Sequence, residues 1–145
     1  MRVAIVAGIC AVLSSGAATA QSTASEIRER VAAELLRFAR VGPGDVVYDL
    51  GSNGTIPAAA AKLGARAVPI APDALLTALY ADATVVVLDL TPALNLRLEP
   101  ILRRQLRPGA RIVSHRFGIG AWRADDSMAA SDKPGRRMTW RRPRR

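Results

Sequence analysis

Asp45-Val46-Val47-Tyr48-Asp49-Leu50-Gly51-Ser52-Asn53-Gly54-Thr55 decides the fold of this 145-residue chain. A run of apolar and β-branched residues ends in an acid, a turn with two glycines follows, and an Ala-rich segment comes directly after. The pattern predicts a strand, a tight loop and a helix in immediate succession. Glycines let backbone approach a ligand closely, and the first N–H groups of a helix have no partners within it, so they can face an anionic or polar group. Asp49, at the carboxyl end of the strand, is then placed beside such a ligand as a hydrogen-bond acceptor.

On the amino-terminal side, Ser22 to Arg40 reads as a helix capped by Ser25, with Glu26, Arg28, Glu29 and Arg30 outside and Ile27, Val31, Leu35 and Phe38 at near-helical spacing. Val41-Gly42-Pro43-Gly44 stops it, because proline cannot continue the hydrogen-bond ladder. On the other side, Ile56 to Leu63 supply a helix that accepts Pro57 in its first turn and ends at Gly64. Arg66 to Ile70 is a short strand, which Pro69 assigns to a sheet edge or to irregular structure. Pro72 to Tyr80 is apolar but too short for a further helix and strand.

Thr84 to Leu90 is a continuous β-branched run of the kind buried on both faces of a sheet. Leu94 to Leu106 is amphipathic, with Leu94, Leu98, Ile101, Leu102 and Leu106 inward and Arg97, Arg103, Arg104 and Arg107 outward. Ala110 to Phe117 follows Arg107-Pro108-Gly109 as another strand, and Met128 to Trp140, with Lys133-Pro134-Gly135 as its turn, reads as an antiparallel hairpin. Strands alternating with helices across short turns predict a mostly parallel α/β sheet with right-handed crossovers. Half of the residues are hydrophobic, with two each of Phe, Tyr and Trp, which suits one aliphatic core.

The first twenty residues read as an export signal. Arg2 supplies the positive start, Val3 to Leu13 the apolar run, and Ala18-Thr19-Ala20 the small-x-small pattern before a cut at Gln21. A spanning helix needs about 20 apolar residues, which this run does not reach. The expected organisation is a signal at 1–20, a domain at 21–140 and a basic tail at 141–145, with an exported, periplasmic or secreted product. Cys10 is the single cysteine, so the mature chain has no disulfide, thiolate nucleophile or cysteine metal site.

The order of these motifs resembles a known family. Asp49-Leu50-Gly51-Ser52-Asn53-Gly54-Thr55, then Gly64-Ala65-Arg66-Ala67-Val68, then Ala83-Thr84-Val85-Val86 with Pro92 and Asn95, then Leu106-Arg107-Pro108-Gly109-Ala110-Arg111-Ile112-Val113-Ser114-His115 and Trp122, look like class I S-adenosylmethionine-dependent methyltransferases. The small bacterial branch similar to mitochondrial protein-lysine methyltransferases is the nearest in flavour. Each piece alone is common to many nucleotide folds. Their order, from about Ile27 to Trp140, makes the resemblance specific.

The resemblance implies a Rossmann-like three-layer sandwich that binds S-adenosylmethionine above the carboxyl edge of its sheet. It maps Asp49, Gly51, Ser52, Asn53 and Gly54 onto the loop that holds the methionine part, and Asp89 to Asn95, including Pro92, near the substrate entrance. Its expected activity is methylation of a protein lysine or a small amine, with no metal and with no residue singled out as catalytic. Three departures accompany it. Gly51-Ser52-Asn53-Gly54 is one residue short of the usual glycine-rich loop and has Asn53 where Gly is usual, a residue that tolerates positive φ. The acid that should end the second strand and hold the ribose is found two positions late, as Asp73. Between Asp73 and Ala83 the family's next helix and third strand have no counterpart, so the sheet is expected to be trimmed by about one helix-strand unit. An alternative reading is a catalytically degenerate relative that serves as a structural or anionic-surface-binding module.

Other candidates have plainer roles. His115, the single histidine, is a base near a strand end or, more commonly for a lone histidine, a structural polar residue. Asp89 either lines a ligand crevice or faces solvent at its strand end. Asp125-Asp126 reads as a solvated loop, and Trp122 and Trp140 as packing of the terminal strands. The formal charge of +9 is uneven: Ser131 to Arg145 holds seven Lys or Arg and one acid, a surplus of six. The run from Arg136 to Arg145 is therefore either a solvated basic terminus or a surface for an anionic partner. In the second case, binding to an anionic surface falls steeply with salt and is lost when Arg141 to Arg145 are removed; salt-insensitive binding assigns the contact elsewhere.

Overall fold

The structure, a computed structural model, describes residues 15–129 and 137–141. Six strands form one sheet in the order β2-β1-β3-β4-β6-β5. The strands are β1 (Val46–Leu50), β2 (Arg66–Pro69), β3 (Val85–Leu88), β4 (Arg111–His115), β5 (Asp126–Ala129) and β6 (Arg137–Arg141). The first four in that order are all parallel, while β6 pairs antiparallel with both β4 and β5. Lys133-Pro134-Gly135, the expected hairpin turn, lies outside the described residues. Strand β6 includes Arg141, which was expected to begin the basic tail.

Helices α1 (Ser15–Phe38) and α2 (Thr55–Lys62) cover one face of the sheet and α3 (Pro92–Gln105) the other, giving three layers. On the α1 and α2 face, Val31, Leu35, Leu36, Ile56 and Ala60 pack against Val47, Val85, Val87 and Val113. On the opposite face, Leu98, Leu102 and Leu106 pack against Leu50, Val86, Leu88 and Ile112. Every residue of β3 is buried, as its β-branched run requires of a strand covered on both sides. Thr91 caps α3, its Oγ1 accepting from Leu94 N–H at 3.4 Å, and Pro92 occupies the first turn where its missing donor costs nothing.

One expectation is corrected here. Ser25 does not cap the first helix, because the Ala-rich residues ahead of it favour helix strongly enough to start α1 at Ser15. The expected signal boundary at Ala20-Gln21 thus falls within α1, and residues 1–14 lie outside the described residues. Among the described residues, no helix is long and apolar enough to cross a membrane.

At the amino-terminal end of the strands, one polar cluster gathers four elements. Asp45 accepts from Arg111 through Oδ1, from Thr84 Oγ1 at 2.7 Å and, through Oδ2, from Gly42 N–H at 2.9 Å. Thr84 Oγ1 in turn accepts from Val46 N–H at 2.8 Å, and Arg111 donates to the carbonyls of Ala39 and Arg40 at the end of α1.

Residues 70–84 hold neither helix nor strand, yet they close the α3 face. Leu75 and Tyr80 are buried in that core, the Tyr80 hydroxyl donates to Leu75 O at 2.6 Å, and Gln105 Oε1 accepts from Tyr80 N–H at 2.7 Å. Burial and the neighbouring Tyr48 push the Tyr80 phenol up to about 12. Tyr80→Phe removes a buried hydrogen bond and is expected to cost about 1–2 kcal/mol in denaturant unfolding. An unchanged midpoint would show that the hydroxyl does not hold this segment.

Candidate functional site

The carboxyl ends of β1, β3 and β4 open into one crevice roofed by α1. Register brings them level: Leu50 lies beside Leu88, and Leu88 beside Ser114, so Asp89 and His115 are the next pair. Ser52 and Asn53 form one wall, Asp89, His115 and Arg116 the other, and Ile27, Arg28 and Val31 of α1 the cover. Its volume is about 180 Å³. A larger groove of about 350 Å³ runs between α1 and α2 over Ala33, Ala58, Ala59 and Leu63. That groove contains none of the acids at the strand ends.

Asp49 is 3% exposed at the base of the first loop. Its Oδ1 accepts from Ser52 N–H at 3.2 Å and its Oδ2 from Ser52 Oγ at 2.5 Å. Burial pushes its carboxyl above the ordinary carboxylate value, opposed by the two Ser52 bonds and reinforced by the charge of Asp89. The loop turns through left-handed residues at Gly51 (φ 98°), Asn53 (φ 54°) and Gly54 (φ 86°). Asn53 therefore takes the role that its tolerance of positive φ allows. Gly51 is needed for a second reason, since a Cβ there would stand 2.7 Å from the Asp89 carbonyl oxygen. This close approach brings the ends of β1 and β3 together.

Across the crevice, Asp89 Oδ1 faces three donor nitrogens: His115 Nδ1 at 3.5 Å, Arg116 Nε at 3.0 Å and Arg116 Nη2 at 2.6 Å. Burial raises the Asp89 pKa, but the hydrogen bonds and charges of His115 and Arg116 outweigh it and hold the carboxyl below its ordinary value. His115 is buried, at 6% exposure. Arg116 has φ 77° and lies over the Phe117 ring, 5.7 Å from its centroid.

The structure therefore gathers Ser52, Asn53, Asp89 and His115 around one crevice with Asp49 beneath the loop. Gly51 and Gly54 shape the loop without lining the crevice, and three other predicted residues lie away from it. Asp73 is exposed on the turn after β2, and Pro92 is exposed in the first turn of α3. Asn95 is fully buried, where its Nδ2 donates to Gly118 O at 3.1 Å and ties α3 to the segment after β4. Sequence reasoning missed Arg116 and the crevice position of Arg28. Arg116 follows His115 directly at a parallel strand's carboxyl end, the position where such sheets bind ligands, and that signal was available. Among the described residues, no group of three His, Cys, Asp or Glu side chains could hold a metal ion.

A parallel sheet flanked by helices, with a glycine-bearing loop after its first strand and acids around a crevice at its carboxyl edge, defines a Rossmann-like ligand-binding protein. Comparison with known proteins carries this further. The chain is 31% identical to a protein-lysine N-methyltransferase of Saccharolobus islandicus (strain REY15A), over 72% of this chain and 82% of that protein. An RNA methyltransferase from Salinibacter ruber, solved in complex with S-adenosyl-L-homocysteine, is 34% identical with a TM-score of 0.69, covering 78% of this chain and 90% of that one. The mitomycin 7-O-methyltransferase MmcR, 14% identical with a TM-score of 0.59 over 85% of this chain and 55% of its own, shares the fold. No protein-family profile matches the chain. The chain belongs to the class I S-adenosylmethionine-dependent methyltransferase family.

The two acids titrate in opposite directions. Asp89, held below its ordinary value, contributes stability that is complete above the unfolded carboxylate pKa of about 3.9 and is lost as pH falls through its lowered native value. Asp49, held above its ordinary value, carries a penalty that is absent in acid and complete once pH has risen through its raised native value. Asp89→Asn is therefore expected to lower Tm at neutral pH, with the difference closing in acid. Asp49→Asn should raise Tm at neutral pH. Thermal unfolding measured across pH checks both signs.

Proposed function

We propose that the chain transfers the methyl group of S-adenosylmethionine to a primary amine, with a protein lysine side chain as the leading acceptor. The observation that carries this reading is the pairing of buried Asp49 beneath its left-handed loop with ionised Asp89 across the same crevice. The lysine specificity borne in the name of the Saccharolobus relative supports the acceptor, and the S-adenosyl-L-homocysteine held by the Salinibacter structure supports the donor.

The residues present fit the amino-acid end of the donor. Asp49 can accept from an ammonium group, and Ser52 and Asn53 of its loop line the crevice. At about 180 Å³, the crevice is smaller than typical ligand pockets of roughly 300–1,000 Å³, which suits one end of a long ligand. Asp73 is the acid on the segment after β2 for the nucleoside end, and it is exposed. The lack of helix and strand over residues 70–84, with β2 at the sheet edge, supports a family sheet trimmed by one helix-strand unit.

When bound, the donor supplies a methyl carbon on a sulfonium, open to in-line attack by a nitrogen lone pair. The protein's part is to orient the acceptor nitrogen, whose proton leaves to solvent before attack. Asp89 Oδ1, on the crevice wall, is the group placed to hold that nitrogen, and its lowered pKa suits it to pairing with a cation rather than to keeping a proton. A second reading, a relative that no longer binds the donor, draws its support from the short 70–84 segment. Export through residues 1–20 is likewise proposed, and amino-terminal sequencing of secreted material tests it.

Calorimetric titration with S-adenosyl-L-homocysteine separates the two readings. Saturable binding, weakened by about tenfold or more in Asp49→Ala, is expected for an enzyme. A folded chain that gives no heat leaves methyltransferase ancestry alone.

A further inference from the structure

Arg116 combines three observations that the fold does not need. Its backbone sits at φ 77°, a left-handed conformation that is unfavourable for an L-residue. Its guanidinium places both Nε and Nη2 on the same oxygen, Asp89 Oδ1, at 3.0 and 2.6 Å. The same guanidinium lies over the Phe117 ring, which is 40% exposed. A carboxylate on the crevice wall and a partly exposed aromatic ring, both within reach of one guanidinium, form a site for an organic cation. Arg116 occupies it from within the chain.

The Arg116 side chain is 35% exposed, so its pair with Asp89 is only partly desolvated and is worth little more than a surface ion pair. Releasing the guanidinium to water, with relaxation of the left-handed backbone, costs little. Asp89 and Phe117 would then remain for another cation. A protonated alkylamine matches both, and it keeps its charge after each methyl is added at neutral pH.

We propose that Arg116 is an internal stand-in for the acceptor: it occupies an alkylammonium subsite formed by Asp89 and Phe117, and displacement of its guanidinium selects cationic acceptors over neutral ones. The proposal rests on the amine-methylation reading and names the subsite that reading requires. It makes Arg116 a specificity residue, since its contacts are with the acceptor's binding groups.

The test uses the full chain and follows Tm with n-butylammonium chloride against sodium chloride at equal concentration. Arg116→Gly suits the positive φ and empties the subsite, so n-butylammonium should raise its Tm by a few degrees more than the control. Arg116→Lys keeps a resident cation and should respond as weakly as the parent. Arg116→Gly with Asp89→Asn should not respond. No rise in Arg116→Gly, or an equal rise in the double variant, overturns the proposal. Stabilisation of the parent by a short oligoribonucleotide, lost in Arg116→Gly, also overturns it, because Arg116 would then itself hold the ligand. Titration with S-adenosyl-L-homocysteine on the same proteins keeps the two readings apart. Donor-product binding without the n-butylammonium response sinks the subsite alone, whereas the response without donor-product binding sinks the methyltransfer reading.

Discussion

The ion pair between Arg111 and Asp45 fixes where everything else in the sheet falls. Asp45 precedes β1, Thr84 precedes β3, Arg111 begins β4, and the carbonyls that Arg111 also meets end α1. A parallel sheet can slip by whole residues, and each one-residue slip exchanges the two faces of a strand. Here the shared polar contacts pin three strands at one end, so their opposite ends arrive level. The meeting of Asp89 with His115 is a consequence of that register, one step beyond the pairing of Leu88 with Ser114. The pair is only partly exposed, so removing either partner would leave a charge with little water around it.

The two ends of the sheet use charge differently. At the amino-terminal end the acid is met by matched donors and closes the structure. At the carboxyl end Asp49 is buried with hydroxyl and amide donors but no cation among its hydrogen-bond partners, and its pKa is raised accordingly. Arg116 and Gly51 add left-handed backbone and a close approach to the Asp89 carbonyl at the same crevice, although Arg40 and Gly120 show such backbone elsewhere too. A buried acid with a raised pKa beside a left-handed arginine makes this crevice the candidate site.

The layers and the parallel core were legible in the sequence because they depend on period and punctuation. The β-branched run at Thr84 to Leu90, the 3.6-residue spacing of Leu94, Leu98 and Leu102, and the glycine turns each specify a local conformation that packing reinforces. The start of α1 was misplaced because Ser25 offers a capping side chain that an Ala-rich upstream segment makes unnecessary. Half of the site was legible for the same reason: Asp49, Ser52, Asn53, Asp89 and His115 lie at the ends of strands. The position of Arg116, directly after His115 at a strand's carboxyl end, was equally legible, but its bonds to Asp89 were not, since an arginine after a strand ordinarily reads as solvated. Asn95, assigned to the substrate side, is buried because its helix turns that position toward the segment after β4.

The outer strand β2 has a further consequence, for self-association. With no strand beyond it among the described residues, β2 presents a row of backbone donors and acceptors, the feature through which sheets pair with foreign strands and aggregate. It is four residues long, opens with exposed Arg66 and closes with exposed Pro69, which has no N–H to offer. Charge, proline and short length are the devices by which natural edges resist such pairing. The weak strand is thus suited to the place where the sheet ends.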